Sequence, residues 1–130
     1  MTTSVDKDLG KKEVIGAFFQ NWNLHPFPVL LIRADRVILA VNEPGRRLGI
    51  PAGKKCFELA GKDKICSFCQ ANKAMHEKKG IQVGSYQEVR KQFVETYWVP
   101  LDGEDEIYLH YGNDITKWVK EDILCSPLAR

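Results

Sequence analysis

The sequence has little of what marks a membrane, secreted or nucleic-acid-binding protein. None of its apolar runs approaches the ~20 residues that a membrane-spanning helix needs, so we expect no membrane span. The N-terminal segment MTTSVDKDLGKK is polar and has no apolar core, so it does not look like a secretory signal, and we expect a cytoplasmic protein. The formal net charge is only +2, which argues against a dedicated nucleic-acid binder.

The motifs of common enzyme classes are also missing. The sequence has no G-x-S-x-G, no glycine-rich phosphate loop, no H-E-x-x-H and no paired carboxylates at a useful spacing. We therefore predict that the chain is not an enzyme. With 130 residues, of which 44% are hydrophobic and 28% charged, the chain fits one domain that folds without disulfides or metal.

The first part of the chain is predicted to contain one amphipathic helix. We divide the sequence into a flexible tail at 1–10, one folded domain at 11–124 and a C-terminal tail at 125–130. Near the start of the domain, apolar residues recur at a helical spacing: Val14, Ile15, Phe18, Phe19 and Trp22. Such a face must be covered by a sheet or by a second copy of the chain. We predict that it is the contact face of a homodimer.

The rest of the sequence predicts strands and short helices. Apolar or alternating runs bounded by turn residues predict five strands, at 28–34, 37–41, 81–88, 92–101 and 107–111. Short helices are expected at 43–48 and before Gly80, and Asp114 is placed to cap a final helix over 115–124. The predicted class is α+β, with one five-stranded antiparallel sheet, short helices on one face, and a helix at each end.

Four segments in this order resemble the PAS family of sensory domains. PVLLIRADRVILAVNEPGRRLGI resembles the opening hairpin and short helix, and GKKCFEL resembles a segment of one PAS subgroup. WVPLDGEDEIYLHYGNDIT resembles the last two strands, and its final Asp114-Ile115-Thr116 matches the Asp-Ile-Thr that ends many PAS domains. The resemblance covers residues 13–122.

The resemblance implies a sensor that passes a signal to a partner. Asp114, Ile115 and Thr116 would start the output segment, and the partner would be a histidine kinase of a two-component system or another signalling domain. A ligand would lie between the sheet and the short helices, where the candidate residues are Tyr86, Tyr97, Trp98, Tyr108, His110 and Tyr111. Because side chains alternate along a strand, at most one of Tyr97 and Trp98, and one of His110 and Tyr111, can face that pocket.

Three of the four cysteines lie close together in the sequence. Cys56, Cys66 and Cys69 have the spacing C-x9-C-x2-C, and PAS domains of the subgroup that this segment resembles often carry such a set. One interpretation is a zinc or iron–sulfur site with His76, Cys125 or a residue of a second chain as fourth ligand. A second is a thiol–disulfide redox switch, since seven lysines between Lys54 and Gly80 favour thiolates. A third is that the cysteines are ordinary buried side chains.

Two cofactors are not expected. Covalent haem attachment needs C-x-x-C-H, and Gln70 follows Cys69 here. The PAS photosensors that bind flavin need an Asn-Cys-Arg motif, which the sequence lacks. The remaining predicted functions are ligand sensing, redox sensing and metal binding.

Overall fold

A computed structural model of the chain describes residues 4–119, with side chains described from Lys11 onward. The elements follow one another in this order: helix α1 (Ser4–Trp22), strands β1 (Val29–Arg33) and β2 (Ile38–Val41), helix α2 (Glu43–Arg47), a 3₁₀ helix (Cys56–Ala60), helix α3 (Ala71–Glu77), strands β3 (Ile81–Gln87), β4 (Gln92–Pro100) and β5 (Ile107–Asp114), and a 3₁₀ helix (Thr116–Trp118).

The five strands form one antiparallel sheet in the order β2-β1-β5-β4-β3, which confirms the predicted fold class. Strands β2 and β3 occupy opposite edges although they are consecutive in the sequence. The connection between them must therefore cross the sheet. That crossing places α2, the first 3₁₀ helix and α3 over one face, which we call the inner face.

Both faces of the sheet are covered in its central part. The inner-face cluster consists of Leu30, Ile32, Ile38, Val41, Ala71, Ala74, Trp98 and Tyr108. The outer-face cluster consists of Phe18, Val29, Leu31, Ala40, Ile107 and Leu109. The first four residues of β1 alternate between these clusters, and all four are buried, so the run VLLI is uniformly apolar.

Helix α1 packs on the outer face of its own sheet. Phe18 is only 4% exposed within the outer-face cluster, and Val14, Ile15, Phe19 and Trp22 pack against the same cluster. The stripe therefore covers the sheet of its own chain, and its predicted contact with a second copy is untested. The sequence allowed either a sheet or a second copy of the chain to cover this helix face, and the structure shows the sheet. A homodimer stays a prediction.

Several element boundaries differ from those predicted. Helix α1 begins at Ser4, so residues 4–10 are helical and not a flexible tail. Helix α3 ends at Glu77 because Lys78 adopts a left-handed conformation (φ 55°), two residues before the glycine expected to stop it. Strand β5 continues to Asp114, since the N-terminal half of β4 offers a pairing partner as far as Val94.

The predicted C-terminal helix over 115–124 lies only partly within the described residues. Its first turn is the 3₁₀ helix Thr116–Trp118, after which Val119 is extended (φ −99°, ψ 135°). The remainder of that helix and the tail at 125–130 lie outside the described residues. No helix in the described part of the chain combines the length and the apolar character needed to cross a membrane.

The buried side chain of Asn42 joins three segments. Its Oδ1 accepts hydrogen bonds from the backbone N–H groups of Val29 (2.8 Å) and Gly45 (3.2 Å). Its Nδ2 donates to the backbone carbonyls of Trp22 (3.1 Å) and Phe27 (2.9 Å). Asn42 therefore caps α2 and also fixes the end of α1 against the start of β1.

Candidate ligand cavity

A cavity of about 400 Å³ lies between the inner face and the 3₁₀ segment with the loop that follows it. Small-molecule sites typically have volumes of about 300–1,000 Å³ and mostly apolar walls with a few polar groups. The walls here are Leu30, Arg36, Ile50, Cys56, Phe57, Leu59, Ala60, Ile65, Cys66, Phe68, Cys69, Arg90, Trp98, Tyr108 and His110. The size and chemistry of this cavity suit a small organic molecule.

Strands β4 and β5 supply the aromatic wall of the cavity. Trp98 and His110 are directly opposite each other in the strand register, so their side chains share the inner face. Their rings stack with centroids 5.1 Å apart at 29°. Tyr108 lies two residues before His110 on the same face and is 1% exposed. These three side chains form an aromatic part of the cavity wall.

His110 is held as a neutral ring with a defined tautomer. Burial lowers the pKa of His110, and this outweighs the hydrogen bond to the Tyr97 carbonyl, which raises it. The atom that makes this bond is Nδ1, 3.1 Å from the carbonyl oxygen of Tyr97. Because a carbonyl only accepts, Nδ1 carries the proton, and Nε2 is left as the nitrogen with a lone pair.

Cys56 and Tyr108 are neighbours at the cavity wall, and each affects the pKa of the other. Burial is the main cause that raises the pKa of the Cys56 thiol, followed by the nearby Cys69. Burial also raises the pKa of Tyr108, with Cys56 as the second cause. Both groups are therefore protonated at neutral pH. The resting form of Cys56 is the thiol and not the thiolate, despite the lysines in this part of the sequence.

Arg36 is a residue of the cavity that the sequence analysis missed. It lies between the strands predicted at 28–34 and 37–41, and its side chain is 1% exposed and folds into the interior. The backbone at Arg36 has φ 78°, a left-handed conformation that is uncommon for a residue other than glycine. The guanidinium lies 5.8 Å from the centroid of the Tyr108 ring and donates to Asn72 Oδ1 at 3.1 Å.

The aromatic residues predicted for the pocket divide between the two faces. Trp98, Tyr108 and His110 line the cavity. Tyr97 and Tyr111 instead stack on each other on the outer face, with centroids 4.8 Å apart at 13°. Alternation along β4 and β5 accounts for this separation, as the sequence indicated that only one of each neighbouring pair can face the pocket.

Tyr86 also belongs to the outer face. Gln82 is directly opposite Tyr97 in the register of β3 and β4, and it donates to the Tyr97 hydroxyl at 3.0 Å. Tyr86 lies four residues after Gln82 on the same strand and therefore shares its face. The assignment of Tyr86, Tyr97 and Tyr111 to the pocket is corrected.

The three cysteines share the cavity wall but do not form a metal centre. Cys56, Cys66 and Cys69 are free thiols, and each lines the cavity. Over the described residues, no group of three or more His, Cys, Asp or Glu side chains is arranged to hold a metal ion. Cys56 opens a 3₁₀ helix, whereas Cys66 and Cys69 belong to a separate turn in which the Cys69 N–H donates to the Cys66 carbonyl (3.1 Å).

Of the two fourth ligands proposed from this chain, the structure describes only His76. His76 lies exposed in the last turn of α3 and is not part of the cavity wall. Cys125 lies outside the described residues. Within the described residues no metal-binding group is formed, and because Cys125 lies outside them, the zinc or iron–sulfur site stays a prediction.

The segment after β5 is tied to the start of β4. Asp114 Oδ1 accepts from the backbone N–H of Thr116 (3.0 Å) and from its hydroxyl, and these bonds lower the pKa of Asp114. The Phe93 N–H donates to Thr116 Oγ1 at 2.8 Å, and the Ile115 N–H donates to the Phe93 carbonyl at 2.9 Å. The predicted output residues thus form one hydrogen-bonded unit with β4.

Comparisons with known proteins found matches to solved structures, but no match to a family model or to a curated protein. A sensory box sensor histidine kinase from Vibrio cholerae matches with a TM-score of 0.53 and 16% identity, over 88% of this chain and 97% of that chain. A C-terminal domain from Streptococcus mutans matches with a TM-score of 0.52 and 14% identity, over 74% and 81% of the two chains.

A third match is an RNA-binding Light-Oxygen-Voltage receptor. Its TM-score is 0.57 at 17% identity, and the alignment covers 88% of this chain but only 36% of the receptor. Likeness at such low identity shows the fold alone. Together with the sheet order and the crossing connection, it shows that the chain has a PAS-like α+β fold.

Proposed function

We propose that the protein is a sensory module that binds a small molecule in the inner-face cavity and signals through the segment that follows Asp114. The observation that carries this proposal is the position of the cavity. Trp98 and His110, which form its aromatic wall, belong to the same two strands that hold the output segment. A ligand that shifts β4 relative to β5 would change the hydrogen bonds among Phe93, Asp114 and Thr116.

We further propose that the receiver of the signal is a separate output domain. The Vibrio cholerae neighbour is a sensor histidine kinase, which supports a kinase as the receiver. On this proposal the chain itself binds and relays, and it is not an enzyme. Three free thiols within one small domain suit a reducing compartment and support a cytoplasmic location.

The ligand proposal is tested by blocking the cavity. A set of fragment-sized aromatic and aliphatic compounds is titrated into the ¹⁵N-labelled protein, and amide shifts are followed in β4 and in residues 113–119. We expect at least one compound to shift both groups of amides. Cys66→Phe, which fills the cavity wall, should weaken its binding by about tenfold or more because the ligand and the new ring compete for the same volume.

Ser67→Phe is the matched control, because Ser67 is exposed and does not line this cavity. It should bind the same compounds with an affinity within about twofold of the original protein. The proposal fails if no compound shifts the β4 amides, or if the compounds that do so bind equally well to both variants.

The second candidate function is a thiol redox switch, supported by the three free thiols on one cavity wall. In glutathione buffers, Cys66 and Cys69 would together lose two electrons and two protons and form a disulfide. Oxidised glutathione would accept the two electrons and the two protons, and its disulfide would be cleaved to give two molecules of reduced glutathione. Mass spectrometry of the trapped protein should show a Cys66–Cys69 linkage that forms and disappears reversibly with the glutathione ratio.

The cysteine variants separate this switch from incidental oxidation. Cys66→Ser should abolish the linkage, and Cys56→Ser should preserve it, since Cys56 begins a different turn. If the linkage is absent at every glutathione ratio, or if Cys66→Ser leaves an equivalent intramolecular disulfide, the cysteines do not act as the predicted pair.

A further inference from the structure

The interior contains a cation without an acidic partner. Arg36 is 1% exposed, and within the described part of the chain the structure shows one salt bridge, between Arg33 and Asp35. The Arg36 guanidinium donates to the Ala34 carbonyl and to Asn72 Oδ1. Its Nε is buried and has no hydrogen-bond partner among the described residues. A guanidinium has five N–H groups, so its donor capacity is not met.

An unpaired buried charge is costly to maintain. Moving an ion away from water costs several kcal/mol even after relaxation, and proteins normally offset this with a counter-ion. The charge of Arg36 acts on its neighbours, because it lowers the pKa of Cys56 and Tyr108 while burial and other causes raise them. Neither neighbour is deprotonated at neutral pH, so neither supplies the missing negative charge.

The remainder of the cavity is also free of acidic groups. Its walls include two arginines, Arg36 inside and the exposed Arg90, and none of the fifteen lining residues is Asp or Glu. The loop and helix that cover the cavity carry seven lysines and three acids between Lys54 and Gly80. One of these, Lys62, lies over the ring of Phe68 with Nζ 5.4 Å from its centroid. This charge distribution attracts anions toward the cavity.

The shape and chemistry of the walls restrict the anion further. The stacked rings of Trp98 and His110 line the cavity, and Phe57 and Phe68 add further aromatic, apolar wall. Aromatic rings pack well against such surfaces. Arg36 is the single buried cation of the lining, so it neutralises one negative charge. A carboxylate has one charge and two oxygens that match the guanidinium fork, whereas a phosphate dianion would leave one charge uncompensated in an apolar site.

We propose that the cavity binds an aromatic carboxylate, with its carboxylate paired to Arg36 and its ring against Trp98 and His110. This inference rests on the proposed ligand-sensing function and names the chemical class of the ligand. Arg36 thereby acquires the partner that the described residues do not give it, and the apolar walls bury the ring.

The test compares acids with their uncharged counterparts of the same shape. Benzoate, phenylacetate and indole-3-acetate, and the three corresponding primary amides, are titrated into the ¹⁵N-labelled protein and followed by amide shifts. We expect at least one acid to bind about tenfold to a hundredfold more tightly than its amide, as charge-assisted hydrogen bonds contribute more than neutral ones. This comparison needs no variant.

Variants of arginine then locate the effect. Arg36→Gln should reduce the ratio of acid to amide affinity to about one while leaving amide affinity nearly unchanged, and Arg36→Lys should restore part of the ratio because it keeps the charge without the fork. Arg33→Gln is the control, since Arg33 already pairs with Asp35 and does not line the cavity. It should leave the ratio unchanged.

The outcomes distinguish a failure of the carboxylate assignment from a failure of the proposed ligand-sensing function. Equal binding of acids and amides, or an acid preference that persists in Arg36→Gln, overturns the carboxylate assignment while ligand sensing stands. If none of the six compounds binds, the carboxylate assignment is also overturned, and the fragment titration above shows whether ligand sensing is lost with it.

Discussion

Asn42→Ala is expected to lower the free energy of unfolding by about 3–5 kcal/mol, the largest effect of any single truncation considered for this domain. The Asn42 side chain is fully buried and makes four hydrogen bonds to backbone groups. Alanine would leave the N–H groups of Val29 and Gly45 and the carbonyls of Trp22 and Phe27 without these partners. Each buried backbone group that loses its partner costs about 1–3 kcal/mol, less what relaxation and water recover.

Urea denaturation followed by circular dichroism measures this loss. Asn21→Ala is the matched control, because Asn21 lies exposed on α1 and donates one bond to the Ala17 carbonyl within the same helix. We expect the control to change stability by less than about 1 kcal/mol. A loss below about 1 kcal/mol for Asn42→Ala would mean that water replaces these bonds and that Asn42 does not fix the three segments.

Phe18→Ala is expected to cost about 3–4 kcal/mol, because it removes the most buried side chain of α1 from the outer-face cluster. The ring packs against apolar side chains of β1 and β5, including Leu31 and Leu109. Truncation leaves a cavity under the helix that the rigid sheet cannot fill. Leu24→Ala is the matched control: Leu24 is 82% exposed, and its truncation should cost less than about 0.5 kcal/mol.

Denaturation and sedimentation velocity together distinguish packing from association. If Phe18 covers the sheet of its own chain, Phe18→Ala lowers the unfolding midpoint and Phe18→Glu abolishes folding at any protein concentration. If Phe18 were instead a contact between copies, Phe18→Glu would leave a stable monomer with an unchanged midpoint, and the packing of α1 described here would be contradicted.

The sequence was sufficient to predict the five strands and the alternation of side chains along them. It was not sufficient to predict which of those side chains face the cavity. The division of Tyr97 from Trp98, and of Tyr111 from His110, follows from alternation alone, which is a property of any strand. Which member of each pair faces the inner side depends on the pairing register and on the connection that crosses the sheet. Those are non-local properties, and they explain why Tyr97, Tyr111 and Tyr86 were assigned to the pocket.

Arg36 and the cysteines show where local patterns are insufficient. Asp35 followed by Arg36 is an ordinary polar turn, and only the left-handed backbone at Arg36 turns its side chain inward. The C-x2-C spacing predicts that Cys66 and Cys69 share a turn. It does not determine how the preceding nine residues place Cys56, so the metal site could not be decided from spacing. The stripe on α1 was likewise ambiguous, since an apolar face is the same whether a sheet or a second copy covers it.

Strands β1 and β5 are neighbours in the sheet. The segment that joins α1 to β1 therefore lies beside the end of β5. Val29 is opposite Tyr111, the Trp22 and Tyr111 rings lie 5.2 Å apart, and His25 Nε2 is 3.2 Å from Asn113 Oδ1. The end of α1 and the connection after it are therefore tied to the last residues of β5 by the His25–Asn113 hydrogen bond and by the contacts of the Trp22 and His25 rings with Tyr111. We therefore expect a displacement of that connection to move the last residues of β5 with it.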